Sequence, residues 1–152
     1  MGQIDWRRVL LGGIVAGLII DVVEWMLHGL VLGPQWRQVM AGLGRPLQET
    51  GLRMSFYVLL GLAYGIAAMW VYASIRPRYG AGQRTALYAG LGVWLLGYCL
   101  PSMNWVVIGL FPRRLMAIAM LVGLVEILVA TLAGAWLYQE PGKGTESIAR
   151  AA

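Results

Sequence analysis

Charge is what this sequence lacks most. Only 12% of its residues are Asp, Glu, Lys or Arg, against about 25% in soluble chains. So few charges cannot coat a water-facing surface, so a lipid bilayer has to serve as the solvent. Cysteine occurs once, at Cys99, which excludes an intrachain disulfide, a zinc knuckle and a CxxC redox pair. Cys99 lies in an apolar run and is expected to be a small buried hydrophobe. Histidine also occurs once, at His28. Bis-histidine haem within one chain is thereby excluded, and the paired Glu-x-x-His motifs of di-iron bundles cannot be completed. No G-x-S-x-G, H-E-x-x-H or P-loop is present, so neither hydrolase nor nucleotide-binding machinery is written in the chain. Lys143 is the single lysine and every other basic residue is arginine, a usage that suggests a GC-rich bacterial genome.

What is abundant is apolar surface: 59% of the 152 residues are hydrophobic, a length that suits one domain. The net charge is +5, and the basic residues sit in small groups at the ends of apolar runs, as with Arg7 and Arg8, Arg76 and Arg78, Arg113 and Arg114. That placement suits lipid headgroups. They form no stripe interleaved with aromatics, so no nucleic-acid partner is expected.

Four apolar runs, 9–32, 54–75, 85–111 and 115–138, are each long enough as helices to cross a hydrocarbon core of about 30 Å at about 1.5 Å per residue. The expected fold is an all-α integral membrane protein, a four-transmembrane-helix bundle. Arg7 and Arg8 before an apolar run also resemble the start of a signal peptide. No small-x-small cleavage site follows, however, and the run continues through Asp21, Glu24 and His28, so a span is expected. Arg76, Pro77, Arg78, Tyr79 and Gly80 are read as the turn between the second and third spans. Pro112, Arg113 and Arg114 are read as the break that makes the third and fourth a tight hairpin. Residues 33–53 are too polar to span, and 34–44 are the interfacial segment within them. Pro34 suits a first helical position, and Trp36, Val39, Met40 and Leu43 then recur on one face, which predicts a short helix lying in the interface plane. Residues 139–152 are polar, with Pro141, Gly142 and Gly144, and read as a disordered tail.

Four spans put both termini on one side. That side carries Arg7, Arg8, Arg76, Arg78, Arg84, Lys143 and Arg150, and the other Arg37, Arg45, Arg53, Arg113 and Arg114. The bias predicts cytoplasmic termini in a bacterial inner membrane. At one constant offset Gly17, Trp25, Gly29 and Leu30 align with Gly97, Trp105, Gly109 and Leu110. The second and fourth spans also end alike, in Trp70 and Tyr72, and in Trp136 and Tyr138. These matches suggest two tandem helical hairpins related by an axis along the membrane normal, a parallel 2+2 repeat. The offset places Glu24 opposite Asn104. Common Gly, Leu and Trp usage and the aromatic belt would give the same matches without duplication.

The candidate site is a set of ionisable groups at membrane depth. Asp21, Glu24 and His28 stand at i, i+3 and i+7, one helix face, and Glu126 stands alone among Leu, Val and Ile. A charge at mid-bilayer costs about 2.5–3.5 kcal/mol, so these acids must face the bundle interior or water, or be protonated. Counting residues from the span ends puts Asp21 and Glu126 both about 16 Å down, near the midplane, with Glu24 and Asn104 shallower and His28 nearest the surface. Tyr57 and Tyr64 fall at comparable levels and offer hydroxyls. Pro101 leaves the carbonyl of Gly97 without its helical donor and predicts a kink near Ser102 and Asn104.

Two accounts of this ladder compete. In one it is polar glue, with carboxyls and Asn104 hydrogen-bonding between helices. In the other it is a site for a proton, a cation or a small polar ligand, formed by Asp21, Glu24, His28, Asn104, Glu126 and Tyr64. The functional expectation is a small transporter-like or channel-like protein. An accessory or assembly subunit of a larger membrane complex, and a metal-dependent membrane enzyme, are the alternatives. No cofactor is evident, although these acids and His28 carry atoms suited to iron, manganese or zinc. Gly13 and Gly17, and Gly61 and Gly65, are small-xxx-small pairs. They allow close helix contact within the bundle or in a homodimer.

Overall fold

The computed structural model describes residues 4–48 and 50–138; the tail expected at 139–152 lies outside them. The described residues are all-helical, with no strand. Four helices are long and apolar enough to cross a membrane: Trp6–Val31, Gly51–Tyr79, Gln83–Val107 and Arg113–Leu137. The protein is an integral membrane four-helix bundle.

The termini of these helices follow local chemistry. The Asp5 carboxylate caps the first span by accepting from the Arg8 N–H at 3.2 Å, and the Thr50 hydroxyl caps the second by accepting from the Arg53 N–H at 3.3 Å. The second span does not end in the expected turn at residues 76–80. It stays helical through Pro77 to Tyr79 and stops at Gly80, whose φ of 85° a side chain would resist. Proline in a last turn forfeits one hydrogen bond only, and Arg76 and Arg78 favour the negative end of the helix. The expected short helix is present as Gly33–Gly42, with Pro34 in its first turn. Its apolar face is turned onto the bundle: Trp36 and Val39 pack against Leu27, Leu32 and Leu115.

The spans stand in ring order. The first packs on the second and fourth, and the third packs on the same two, so neighbours are antiparallel and the chain forms two tandem hairpins. Glycines set the closest approaches. A Cβ on Gly65 would collide with the Gly17 N and Gly13 O backbone atoms, and one on Gly17 would stand 2.6 Å from Leu62 Cα. Gly12 and Gly134 do the same between the first and fourth spans, where a Cβ on either would lie 2.7 or 2.6 Å from the other's carbonyl oxygen. The small-residue pairs are therefore used inside the bundle. Tyr72 and Tyr138, which the repeat pairs, are both buried, and their rings meet edge to face at 5.7 Å. Gly17 and Gly97 do not play matching parts: Gly17 faces the second span, but Gly97 also faces the second span, against Tyr64, and not the fourth.

Packing is uneven along the membrane normal. At the terminal end Val9, Met69, Tyr72, Ala73, Ala86, Ala89 and Tyr138 form a sealed layer. Below it lie Ala16, Ile20, Ala68, Ile127 and Ala130. Toward the other end the second and third spans lose contact. Every residue of 51–60 is exposed, and no residue of 91–107 is buried. Gly61 is the first buried residue of the second span, and the bundle forks there.

Candidate functional site

The fork is where the ionisable groups collect. Gly61 exists at this position because Asp21 needs the room: a Cβ added there would overlap the Asp21 carboxyl. The Asp21 side chain thus lies flat against the second span at the last point where the two helices touch. One turn further along the first span, Glu24 accepts a hydrogen bond from the Tyr98 hydroxyl of the third. From there the first span widens into a π-helix, Trp25–Val31, a form that recurs at functional positions. His28 sits within it.

His28 is held from both sides. Its Nε2 lies 3.3 Å from Glu24 Oε2, and its Nδ1 accepts from the Trp36 indole N–H at 2.7 Å. An indole nitrogen only donates, so Nδ1 carries no proton while that bond stands, and Nε2–H points to Glu24. The result is a continuous line across three elements: Tyr98 to Glu24, Glu24 to His28, His28 to Trp36. Trp36 in turn packs edge to face on Phe111 at 5.4 Å, which ties the short helix to the loop before the fourth span.

Glu126 completes the group from the fourth span. It is 5% exposed, on the span that packs against the first. One turn away, Gly123 admits the Tyr98 ring, which a Cβ there would meet at 2.9 Å. Two buried oxygens, Asp21 Oδ2 and Glu126 Oε2, have no hydrogen-bond partner. Buried polar atoms are nearly always paired, so these two stand out among the described residues. Asp21 and Glu24 are both partly accessible, the Glu24 side chain to 30%, whereas Glu126 is sealed.

The expected residues divide accordingly. Glu24 and His28 come together on the first span, with Asp21 one turn before Glu24, and Glu126 is buried on the fourth span that packs against them. Tyr64 is adjacent, with its ring 5.8 Å from that of Tyr98, but its hydroxyl donates to the Gly97 carbonyl at 3.1 Å. That is the carbonyl Pro101 leaves without a helical donor, and beside it the third span relaxes into a second π-helix, Leu95–Cys99. Asn104 is exposed, and the group facing Glu24 from the third span is Tyr98, because the helix phase at the π turn differs from that of a regular helix. Tyr57 is 57% exposed, and Cys99 is a free, part-buried thiol. Tyr98 and Trp36 were missed by sequence reasoning. Counting depth for every hydroxyl of the third span would have found Tyr98; nothing local marks Trp36 as the partner of His28.

Among the described residues no three His, Cys, Asp or Glu side chains are placed to hold a metal ion together. The carboxyls repel one another without closing on a common point. What they can do is bind protons, or share a positive charge more diffuse than a metal ion. Compared with family profiles, curated proteins and solved structures, the chain matches none.

Proposed function

We propose that this protein is a small transporter-like or channel-like protein of the bacterial inner membrane, with both termini in the cytoplasm, which binds and relays a proton or cation at Asp21, Glu24 and Glu126. The observation behind this reading is Glu126, a carboxyl sealed among helices with one oxygen unpartnered, on the span that packs against the one carrying Asp21 and Glu24. A carboxylate sealed as Glu126 is cannot stay charged in a low-dielectric interior without a cation or a proton beside it. The nearby base is His28, and its bond from Trp36 holds it neutral. Loading and unloading positive charge is thus the chemistry this group favours.

Polar glue accounts for less. Glue by these acids requires hydrogen bonds between helices, and among the described residues Glu24 alone of the three makes one, from Tyr98. Asp21 Oδ2 and Glu126 Oε2 make none. A metal-dependent enzyme lacks a converging ligand set among the described residues.

Flux in proteoliposomes tests the reading. With a pH-sensitive dye inside and an imposed gradient, the parent should pass protons or exchange them for cations. Glu126→Gln and Asp21→Asn should each lower that flux at least tenfold while eluting as folded protein on size exclusion. Parent-level flux in both variants would remove the proposal.

A further inference from the structure

The short helix Gly33–Gly42 is fastened to the bundle through Trp36. The Trp36 indole N–H donates to His28 Nδ1 at 2.7 Å. Its ring lies tilted over the imidazole, 5.7 Å between centroids, and meets Phe111 edge to face. Val39 adds a second apolar contact with the layer of Leu27, Leu32 and Leu115. The rest of the helix is turned outward: Arg37, Gln38, Ala41 and Gly42 are exposed. A Cβ on Gly42 or Gly44 would meet nothing within 4 Å, so that end of the helix is not packed against the bundle.

The bond from Trp36 carries a chemical condition. An indole nitrogen only donates, so the bond exists only while His28 Nδ1 keeps its lone pair. A proton on Nδ1 sets two N–H groups against each other at a separation that suits one donor and one acceptor, and they must part. The imidazole then has a stronger partner on its other side. Glu24 Oε2 lies 3.3 Å from Nε2, and a charge-assisted hydrogen bond there is roughly twice as strong as a neutral one. One proton thus removes the anchor of the short helix and gives the first span an ion pair. His28 is reached by protons, since its side chain is 28% accessible.

The charged groups around His28 do not replace the lost bond. On its own helix Glu24 and Asp21, when ionised, favour the imidazolium. The short helix brings Arg37, whose guanidinium stands beside Gly33 and has no acceptor to offer. The fourth span meets this layer with Leu115, Ile118 and Val122; its charges are Arg113 and Arg114 at its start and the sealed Glu126 deeper in. The third span contributes Tyr98, through Glu24.

We propose that His28 is a pH-sensitive latch for the short helix: neutral, it holds Trp36 and keeps the helix docked; protonated, it turns to Glu24 and lets the helix go. The released helix has a place to lie, because Trp36, Val39, Met40 and Leu43 form one apolar face suited to the membrane interface. The docked form excludes a proton from Nδ1, so alkaline pH favours docking and acid opposes it, over the range of about pH 5–8 where imidazoles titrate. The latch goes beyond the proposed relay and works whether or not protons cross the membrane.

Two readouts on the full chain in phosphatidylcholine nanodiscs test it. Spin labels at Gln38→Cys and Ala117→Cys, both exposed, in a Cys99→Ser background report the distance from the short helix to the fourth span. The Trp36 indole N–H resonance, identified by its loss in Trp36→Phe, reports the bond. Between pH 8 and pH 5 a longer distance should gain at least tenfold over the short one, and the indole N–H should shift and exchange faster with water. His28→Gln keeps an acceptor but takes no proton, so it should stay docked at both pH values. Trp36→Phe keeps a ring without the donor, so its distances should not change with pH; it carries the test alone if His28→Gln does not fold. An unchanged distance in the parent would overturn the latch, even if the indole signal moved. A pH response that persists in His28→Gln or Trp36→Phe would assign it to the acids and overturn the latch as well.

Discussion

Gly61 and Asp21 act as one unit, and their coupling can be measured. A methyl at Gly61 collides with the Asp21 carboxyl, which is a side chain, whereas a methyl at Gly65 collides with the backbone of Gly17 and Gly13. Overpacking costs about 1–3 kcal/mol where nothing yields. Gly61→Ala should therefore destabilise the bundle in the parent but be nearly neutral in an Asp21→Ala background, a double-mutant cycle with a coupling of about 1 kcal/mol or more. Gly65→Ala should cost the same in either background. Unfolding by denaturant in mixed micelles reads both, and equal costs for Gly61→Ala in the two backgrounds would show that Asp21 lies elsewhere. Tyr98→Phe removes the donor to Glu24 and should cost about 0.6 kcal/mol, the average for interhelical hydrogen bonds in membranes, and no more than about 1.7. At this scale the sequence reveals which groups are costly but not which partners they choose. Asp21, Glu24 and Glu126 stand out because charge is rare in apolar runs. Tyr98 does not, since a tyrosine in a span is unremarkable until a π turn rotates it toward Glu24.

Helices are legible for a different reason. A span is a matter of length and hydropathy, and each of the four apolar runs became a helix of the expected extent, within a few residues. The exception is instructive. Pro77 between Arg76 and Arg78 reads as a turn, yet the helix continues to Tyr79 because a proline near a C-terminus gives up only one bond. The π-helices at Trp25–Val31 and Leu95–Cys99 could not be read at all, since a single extra residue per turn leaves hydropathy unchanged. Packing of the first and second spans depends on the glycine crossing, so its contribution can be separated from simple helix propensity. Gly92 lies in the third span with nothing within 4 Å of a would-be Cβ. Gly92→Ala should be neutral or stabilising by up to about 1 kcal/mol, while Gly65→Ala destabilises. Equal effects of the two would mean that the first and second spans do not cross where Gly13, Gly17 and Gly65 meet.

At the level of the whole molecule, the bundle is sealed at one end and forked at the other, and the orientation decides which leaflet meets the fork. The sealed layer of Val9, Met69, Tyr72 and Tyr138 lies at the end that carries the termini and the Gly80–Gly82 turn. The fork lies at the end of the short helix Gly33–Gly42. Arginine bias favours the terminal side as cytoplasmic, so the fork would face the outer leaflet. In a Cys99→Ser background, Gln38→Cys should react with a membrane-impermeant maleimide on intact cells, and Ala81→Cys only after permeabilisation. Both positions are exposed, so a lack of reaction reports sidedness and not burial. The reverse pattern would keep the four-span fold and move the fork to the inner leaflet. Reaction of both from one side would contradict the crossing of the second span, Gly51–Tyr79, which is the one span between them, and with it the antiparallel pairing of the first and second spans.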